Sequence, residues 1–172
     1  MVKVTTVKDI LKAKVTGVST VAFKITADTS KADFNIHGLY DSGKIGSSTD
    51  SNRVFRAYLD KEQLLAQEVF CVMCLNRANK PIAIFQPFQG GVSSTVADVT
   101  IICALAIASL SSSIIVCHNH PSGAESPSDA DVRLTQKIRG ATTQIGIELL
   151  DHIIIVPQSE SKYYSFADEG ML

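Results

Sequence analysis

The run Ser113-Ile114-Ile115-Val116-Cys117 is short, β-branched and apolar on both of the faces a strand presents. Successive side chains of a strand point to opposite faces of its sheet, so this strand fits a sheet covered on both sides. Val69–Leu75 and Ile153–Val156 have the same character, and helical segments separate them. Asp98–Ser111 reads as a largely buried helix and Asp129–Ile145 as another. Strands alternating with helices predict an α/β layered domain.

Upstream, Val54, Phe55, Tyr58 and Leu59 lie at helical spacing, and Asp60 with Gln63 forms a capping box that starts a short helix through Gln67. Glu68–Asn76 and Ile82–Phe88 predict a hairpin turning at Arg77–Pro81, and Gly90 and Gly91 end the pattern. Residues 1–48 are rich in Lys, Thr, Ser and Asp and close on a Gly/Ser-rich run, Ser42–Ser48. Two short strands are expected there, Val21–Ile25 and Asp33–His37, followed by a loop or linker. The chain therefore divides into an N-terminal segment of unknown role, 1–48, and a domain over 49–172. With 172 residues and 45% hydrophobic content, it has material for one sizeable core and an appended piece, whereas two full domains are a tight fit.

Sixteen basic residues against 17 acidic ones give a net charge of -1, which supplies no global attraction to phosphate backbones or anionic membranes. The start, Met1–Thr6, lacks the apolar core and cleavage site of a secretory signal. The longest apolar-rich stretch, Val99–Leu110, is too short to cross a bilayer. The expectation is a soluble, cytoplasmic protein with no membrane partner. Cys71 and Cys74 spell CxxC, but an odd offset on a strand sends the two thiols to opposite faces, which disfavours a redox or zinc pair. Buried, inert cysteine is the expected state, and Cys103 and Cys117 fit the same account.

The chemistry concentrates after the third apolar run. His118 and His120 emerge just beyond the Ser113–Val116 strand, two positions apart, so an extended chain puts both imidazoles on one side. Pro121-Ser122-Gly123 turns the chain, and Ser126-Pro127-Ser128-Asp129-Ala130-Asp131 starts the next helix with proline at a favoured early position. Asp131, in the first turn, can swing its carboxylate back to the histidines. Two histidines, one carboxylate and an open fourth position are what catalytic zinc requires. Ser126-x-x-Asp129 and Ser128-x-x-Asp131 are also capping boxes, so helix initiation alone explains each serine and aspartate. It does not explain the paired histidines.

His118-x-His120-Pro121, six residues, Ser128, two residues, Asp131 is similar to the signature of the JAMM/MPN metalloprotease superfamily, and His-Asn-His-Pro-Ser-Gly followed by Pro-Ser resembles its bacterial RadC branch. Leu75–Lys80, Gly90–Ser93, Leu149–His152 and Tyr163–Gly170 agree with that branch, so the resemblance covers roughly residues 50–172. It implies a mixed central β-sheet flanked by helices, a cytidine-deaminase-like layered fold. It makes His118, His120 and Asp131 ligands of one Zn2+ ion, with water as the fourth. Ser128 becomes a hydrogen-bond donor to the oxyanion, and Glu68, at the start of a core strand, the general base. Glu125 is a nearer competitor for that role by sequence, on a loop that positions a base poorly. His152 reads first as a structural histidine tying strand to loop, and alternatively as a support behind the ligands. Where RadC relatives usually carry an arginine shortly after the aspartate matched by Asp98, this chain has Thr100.

The leading functional expectation is a zinc hydrolase of amide or isopeptide bonds acting on a protein or peptide. The alternative is an interaction module without peptidase activity, connected with DNA repair or mobile elements as the RadC family label suggests; the near-neutral charge gives a nucleic-acid partner no support. A zinc deaminase needs His-x-Glu and Pro-Cys-x-x-Cys, which this chain lacks. The literal string His118-Asn119-His120 is not the dispersed motif of an HNH nuclease.

Overall fold

The computed structural model describes residues 43–90 and 97–172. The strands expected at Val21–Ile25 and Asp33–His37 lie outside the described residues. Helix α1 (Ser48–Tyr58) starts on Ser47, whose side chain accepts from the Asp50 amide, and α2 (Lys61–Ala66) starts on Asp60, which accepts from the amides of Glu62 and Gln63. Strands β1 (Val69–Leu75) and β2 (Pro81–Gln89) form the expected hairpin. Its turn is held by the Asn76 side chain, which accepts from the amides of Ala78 and Lys80, while Asn79 takes a positive φ of 55°. Helix α3 (Val99–Ala108), β3 (Ser113–Asn119), α4 (Asp129–Gln144), β4 (Glu148–Ile155) and β5 (Tyr163–Ser165) complete the order.

The strands form one mixed five-stranded sheet in the order β2-β1-β3-β4-β5, with β3 and β4 parallel and the other pairs antiparallel. Every residue of β1 and β3 is buried, as the apolar runs require. On one face Cys71, Met73, Ile115 and Cys117 pack with Val54, Phe55 and Leu64 of α1 and α2. On the other, Phe70, Val72, Ile114 and Val116 pack with Ile102 and Ala106 of α3 and Ile138 of α4. This is the α/β arrangement of helices over both faces that the three short apolar runs predict.

Several boundaries differ from expectation for physical reasons. β3 continues through Asn119, because His118 and Asn119 have ladder partners in Ile154 and Ile155 of β4. His118 is therefore inside the strand rather than beyond it. β4 starts five residues early, at Glu148, and carries the buried polar pair Asp151 and His152 among its apolar residues. Asp151 is satisfied there by the Ser165 hydroxyl and the amides of His152 and Ala167. α3 ends at Ala108, and Leu110 adopts a positive φ of 52°. The Gly/Ser-rich run is not all linker, since Ile45 enters the core and its amide donates to the Asn79 carbonyl.

Cys71 and Cys74 lie on opposite faces of β1, in separate core clusters. Burial pushes the Cys71 thiol up to about 12, raises Cys74 and Cys103, and raises Cys117 well above the ordinary range. These groups stay protonated near neutral pH, and thiols rather than thiolates are poor nucleophiles. Titration of the folded protein with Ellman's reagent is expected to leave Cys71, Cys74 and Cys117 unreacted, with slow reaction at the partly exposed Cys103, and to count all four after denaturation. Fast reaction at Cys71 or Cys74 in the folded protein would contradict this placement.

Candidate metal centre

Alternation along β3 puts Val116 and His118 on the face covered by α3 and α4, and His120 follows on the same side. β1 pairs with β3 antiparallel, with Phe70 opposite His118. Glu68 stands two residues before Phe70, on the same side by alternation, and its charge acts on His120. Beyond His120 the chain turns at Pro121–Gly123: the Gly123 amide donates to the His120 carbonyl, and Gly123 takes a φ of +84° that a side chain would strain. The Gln158 side chain holds the turn by donating to the Pro121 carbonyl. α4 then begins with Asp131 facing back toward the strand.

Three side chains converge. His118 Nε2 and His120 Nε2 are 3.1 Å apart, Asp131 Oδ1 is 3.3 Å from the former, and Asp131 Oδ2 is 3.5 Å from the latter. His118 is 1% exposed, whereas His120 and Asp131 are each 14% exposed, so the cluster is reached from one side. Ser128 and Asp131 realise the capping box in full: Asp131 Oδ2 accepts from the Ser128 amide at 2.7 Å and the Ser128 hydroxyl at 2.6 Å, and Ser128 Oγ accepts from the Asp131 amide at 3.2 Å. Helix initiation and the cluster thus use one carboxylate. The cap holds Asp131 in the orientation that the histidines need.

A buried relay settles the histidine tautomers. The Thr135 hydroxyl has one proton and donates it to the Asp131 carbonyl at 2.6 Å, so at 2.6 Å from His152 Nδ1 it accepts. His152 is wholly buried, its ring stacked on Phe166 and edge-on to Phe70. Burial, reinforced by the neighbouring His118, holds its pKa well below the ordinary value and keeps it neutral. With its proton on Nδ1, His152 Nε2 accepts from His118 Nδ1 at 2.8 Å. A neutral His118 is then bare at Nε2. His120 Nδ1 donates to the Ala124 carbonyl at 3.0 Å, so a neutral His120 is bare at Nε2 as well.

Two bare nitrogens and a carboxylate at these distances repel one another unless a positive charge lies among them. A proton on His120 or a metal ion supplies it. The hydrogen bond to Asp131 raises the His120 pKa against the effect of burial, helped by the Ala124 carbonyl and the negative charges of Asp131 and Glu68. Burial works to raise Asp131, but the neighbouring His118 and His120 rings, with the Ser128 hydroxyl, hold it well below the usual carboxylate range. The donor set also fits a metal. Tetrahedral zinc with bonds of about 2.0–2.1 Å has ligand–ligand edges of about 3.3 Å; the two histidine nitrogens are 3.1 Å apart, and one ligand atom from each of the three residues lies within 4.8 Å of the others. Among the described residues this is the one group of three His, Cys, Asp or Glu side chains placed to hold an ion.

Glu68 is half-buried beside β1 and close enough for its charge to act on His120. Glu125 is more than half exposed and forms an ion pair with Lys162, outside the cluster. Ser128 is at the cluster, with its hydroxyl proton on Asp131. His152 does not tie strand to loop through its ring. It stands behind His118, which corrects the first reading of that residue. Thr100 is exposed in the first turn of α3, its amide bonded to Asp98. Thr135 was not foreseen from the sequence, and Asn119, noted there only between the two histidines, was given no role of its own. The signal for Thr135 is its spacing of four from Asp131, which puts both on one face of α4.

A family profile described as "RadC-like JAB domain" matches residues 45–171. Similar curated proteins include the UPF0758 protein of Porphyromonas gingivalis, 44% identical over 126 residues, 73% of this chain and 55% of that protein. The UPF0758 protein of Flavobacterium johnsoniae is 40% identical over 128 residues, 74% of this chain and 53% of that protein. That of Clostridium perfringens is 35% identical over 129 residues, 75% and 54% of the two chains. The chain spans about half the length of the curated relatives it matches.

The relay predicts that Thr135→Val folds normally but binds zinc about 10- to 100-fold more weakly, measured by competition with a chromophoric chelator, because His118 loses its fixed tautomer. Wild-type affinity in that variant would remove the relay's role. The raised His120 value has a second consequence. Its pairing with Asp131 stabilises the metal-free fold fully below the ordinary pKa of 6.5, and that stability is lost as pH rises through the raised value. The melting temperature of chelator-treated protein is therefore expected to fall as the pH is raised above about 6.5, and to fall less in Asp131→Asn.

Proposed function

Because the chain belongs to the RadC-like JAB domain family, we propose that His118, His120 and Asp131 hold one zinc ion and that the protein hydrolyses amide or isopeptide bonds in a protein or peptide. One observation carries the reading: two histidine nitrogens, bare when neutral, and a carboxylate converge so that one ligand atom from each lies within 4.8 Å of the others, close enough to share one ion. Three protein donors leave a fourth position for chemistry, as catalytic rather than structural zinc sites do. Zinc so held supplies Lewis acidity, which makes water a competent nucleophile near neutral pH and polarises a carbonyl.

The residues around the cluster have the remaining tasks. Glu68, whose charge acts on His120, takes the proton from the attacking water and returns it to the leaving amine. Ser128 is the oxyanion donor. In the present arrangement its hydroxyl bonds Asp131 Oδ2, and rotation about the Cβ–Oγ bond redirects the proton toward a carbonyl oxygen while Oγ keeps the Asp131 amide. His152 and Thr135 keep His118 in the tautomer that presents Nε2.

Elemental analysis is expected to find one zinc per chain, lost in His120→Ala and Asp131→Ala and largely retained in Glu68→Gln. A wild-type protein that takes up no zinc on reconstitution would sink the reading. With a cleaved peptide in hand, Glu68→Gln is expected to lose about 10²- to 10⁴-fold in kcat, and undiminished hydrolysis would remove Glu68 as the base.

A further inference from the structure

Asn119 separates the two histidines in sequence and lies on the opposite face of the sheet. Alternation along β3 sends its side chain toward α2, where it is wholly buried. Each polar atom there has a backbone partner. Nδ2 donates to the Leu64 carbonyl at 2.6 Å and the Gln67 carbonyl at 3.0 Å, and Oδ1 accepts from the Val69 amide at 2.8 Å. These groups belong to the junction between α2 and β1. The residue in the middle of that junction is Glu68.

We propose that Asn119 is a positioning residue for Glu68, fixing the direction in which the Glu68 side chain leaves the backbone. The inference rests on the reading of Glu68 as the base at the zinc cluster. The argument is geometric. A residue's φ and ψ are the rotations that relate the peptide planes on either side of it, and each plane is rigid. The plane before Glu68 contains the Gln67 carbonyl, held by Asn119 Nδ2. The plane after it contains the Val69 amide, held by Asn119 Oδ1, and the Glu68 carbonyl, which accepts from the Gly90 amide at 2.8 Å. With both planes pinned, the Cα–Cβ bond of Glu68 has one direction.

The junction needs this clamp. α2 has six residues, too few to hold a helical turn without outside contacts, and its last carbonyls lack partners within the helix. Asn119 supplies a partner for Leu64 from the strand that also carries the histidines. The two faces of one tripeptide thus place both parts of the site: His118 and His120 present nitrogens on the α4 side, and Asn119 sets Glu68 from the α2 side. An apolar residue at position 119 would leave two carbonyls and an amide without these bonds in a buried place.

The test reads the position of Glu68 without relying on turnover. Protein labelled with ¹³C at glutamate carboxyl carbons is loaded with cobalt(II), and the paramagnetic relaxation enhancement of the Glu68 carbon is measured in wild type, Asn119→Ala and Asn119→Asp. Asn119→Asp retains the acceptor for Val69 and loses both donations. The enhancement is expected to be strong in wild type and to fall several-fold in both variants, with one cobalt still bound per chain. A purely structural role would lower the melting temperature and leave the enhancement unchanged, and that result in either folded variant overturns the proposal while the zinc reading stands. If Asn119→Ala does not fold, Asn119→Asp decides. Failure of the wild type to bind cobalt, or a wild-type Glu68 carbon without enhancement, overturns the underlying reading and the proposal with it.

Discussion

The antiparallel register of β1 against β3 is the constraint on which the site depends. Phe70 opposite His118 puts Glu68 beside His120, directs the two imidazoles toward α4 and turns Asn119 toward α2. Hydrophobic burial does not select this register by itself. Both strands are buried along their whole length and apolar on both faces, so a slip by one residue exchanges one greasy face for the other at little cost in transfer free energy. The polar end of β3 makes the choice. A slip would move the imidazoles into the core under α1 and α2 and take the Asn119 amide from its three backbone partners. Unpaired buried polar groups cost about 1–3 kcal/mol each.

A second dependency runs through the apolar face. Thr135, His152 and His118 form a chain of short hydrogen bonds inside walls made by Phe70 and Phe166. Burial keeps the His152 ring neutral, and the direction of the chain is set at one end by the single proton of Thr135. α4 contributes to the cluster twice, through the Asp131 side chain and through the Asp131 carbonyl that fixes that proton.

Much of this was legible in the residues. The three short apolar runs required a sheet covered on both faces, and the odd spacing of Cys71 and Cys74 forecast their separation. His118, His120, Ser128 and Asp131 declared themselves because metal donors at strand and helix spacings are rare in combination. Three features were hidden for a common reason. β4 began early because Asp151 looks polar on paper but is satisfied by partners 14 and 16 residues away. His152 and Asn119 were misjudged or missed because their partners are remote in sequence: His118 is 34 residues from His152, and Leu64 is 55 from Asn119. Local spacing shows which face a side chain takes, and tertiary pairing decides what it meets there.

The capping box at the start of α4 has a thermodynamic consequence. Asp131 Oδ2 is held by the Ser128 amide and hydroxyl and also faces His120, so a 16-residue helix and a cluster placed to hold an ion share one oxygen. Occupancy of the cluster and winding of the helix are then linked functions: an ion that prefers the capped carboxylate favours the helix, and a well-wound helix presents a better ligand. Substitutions along the exposed face of α4, far from any donor atom, become means of adjusting affinity. The candidate site extends, energetically, to the far end of that helix.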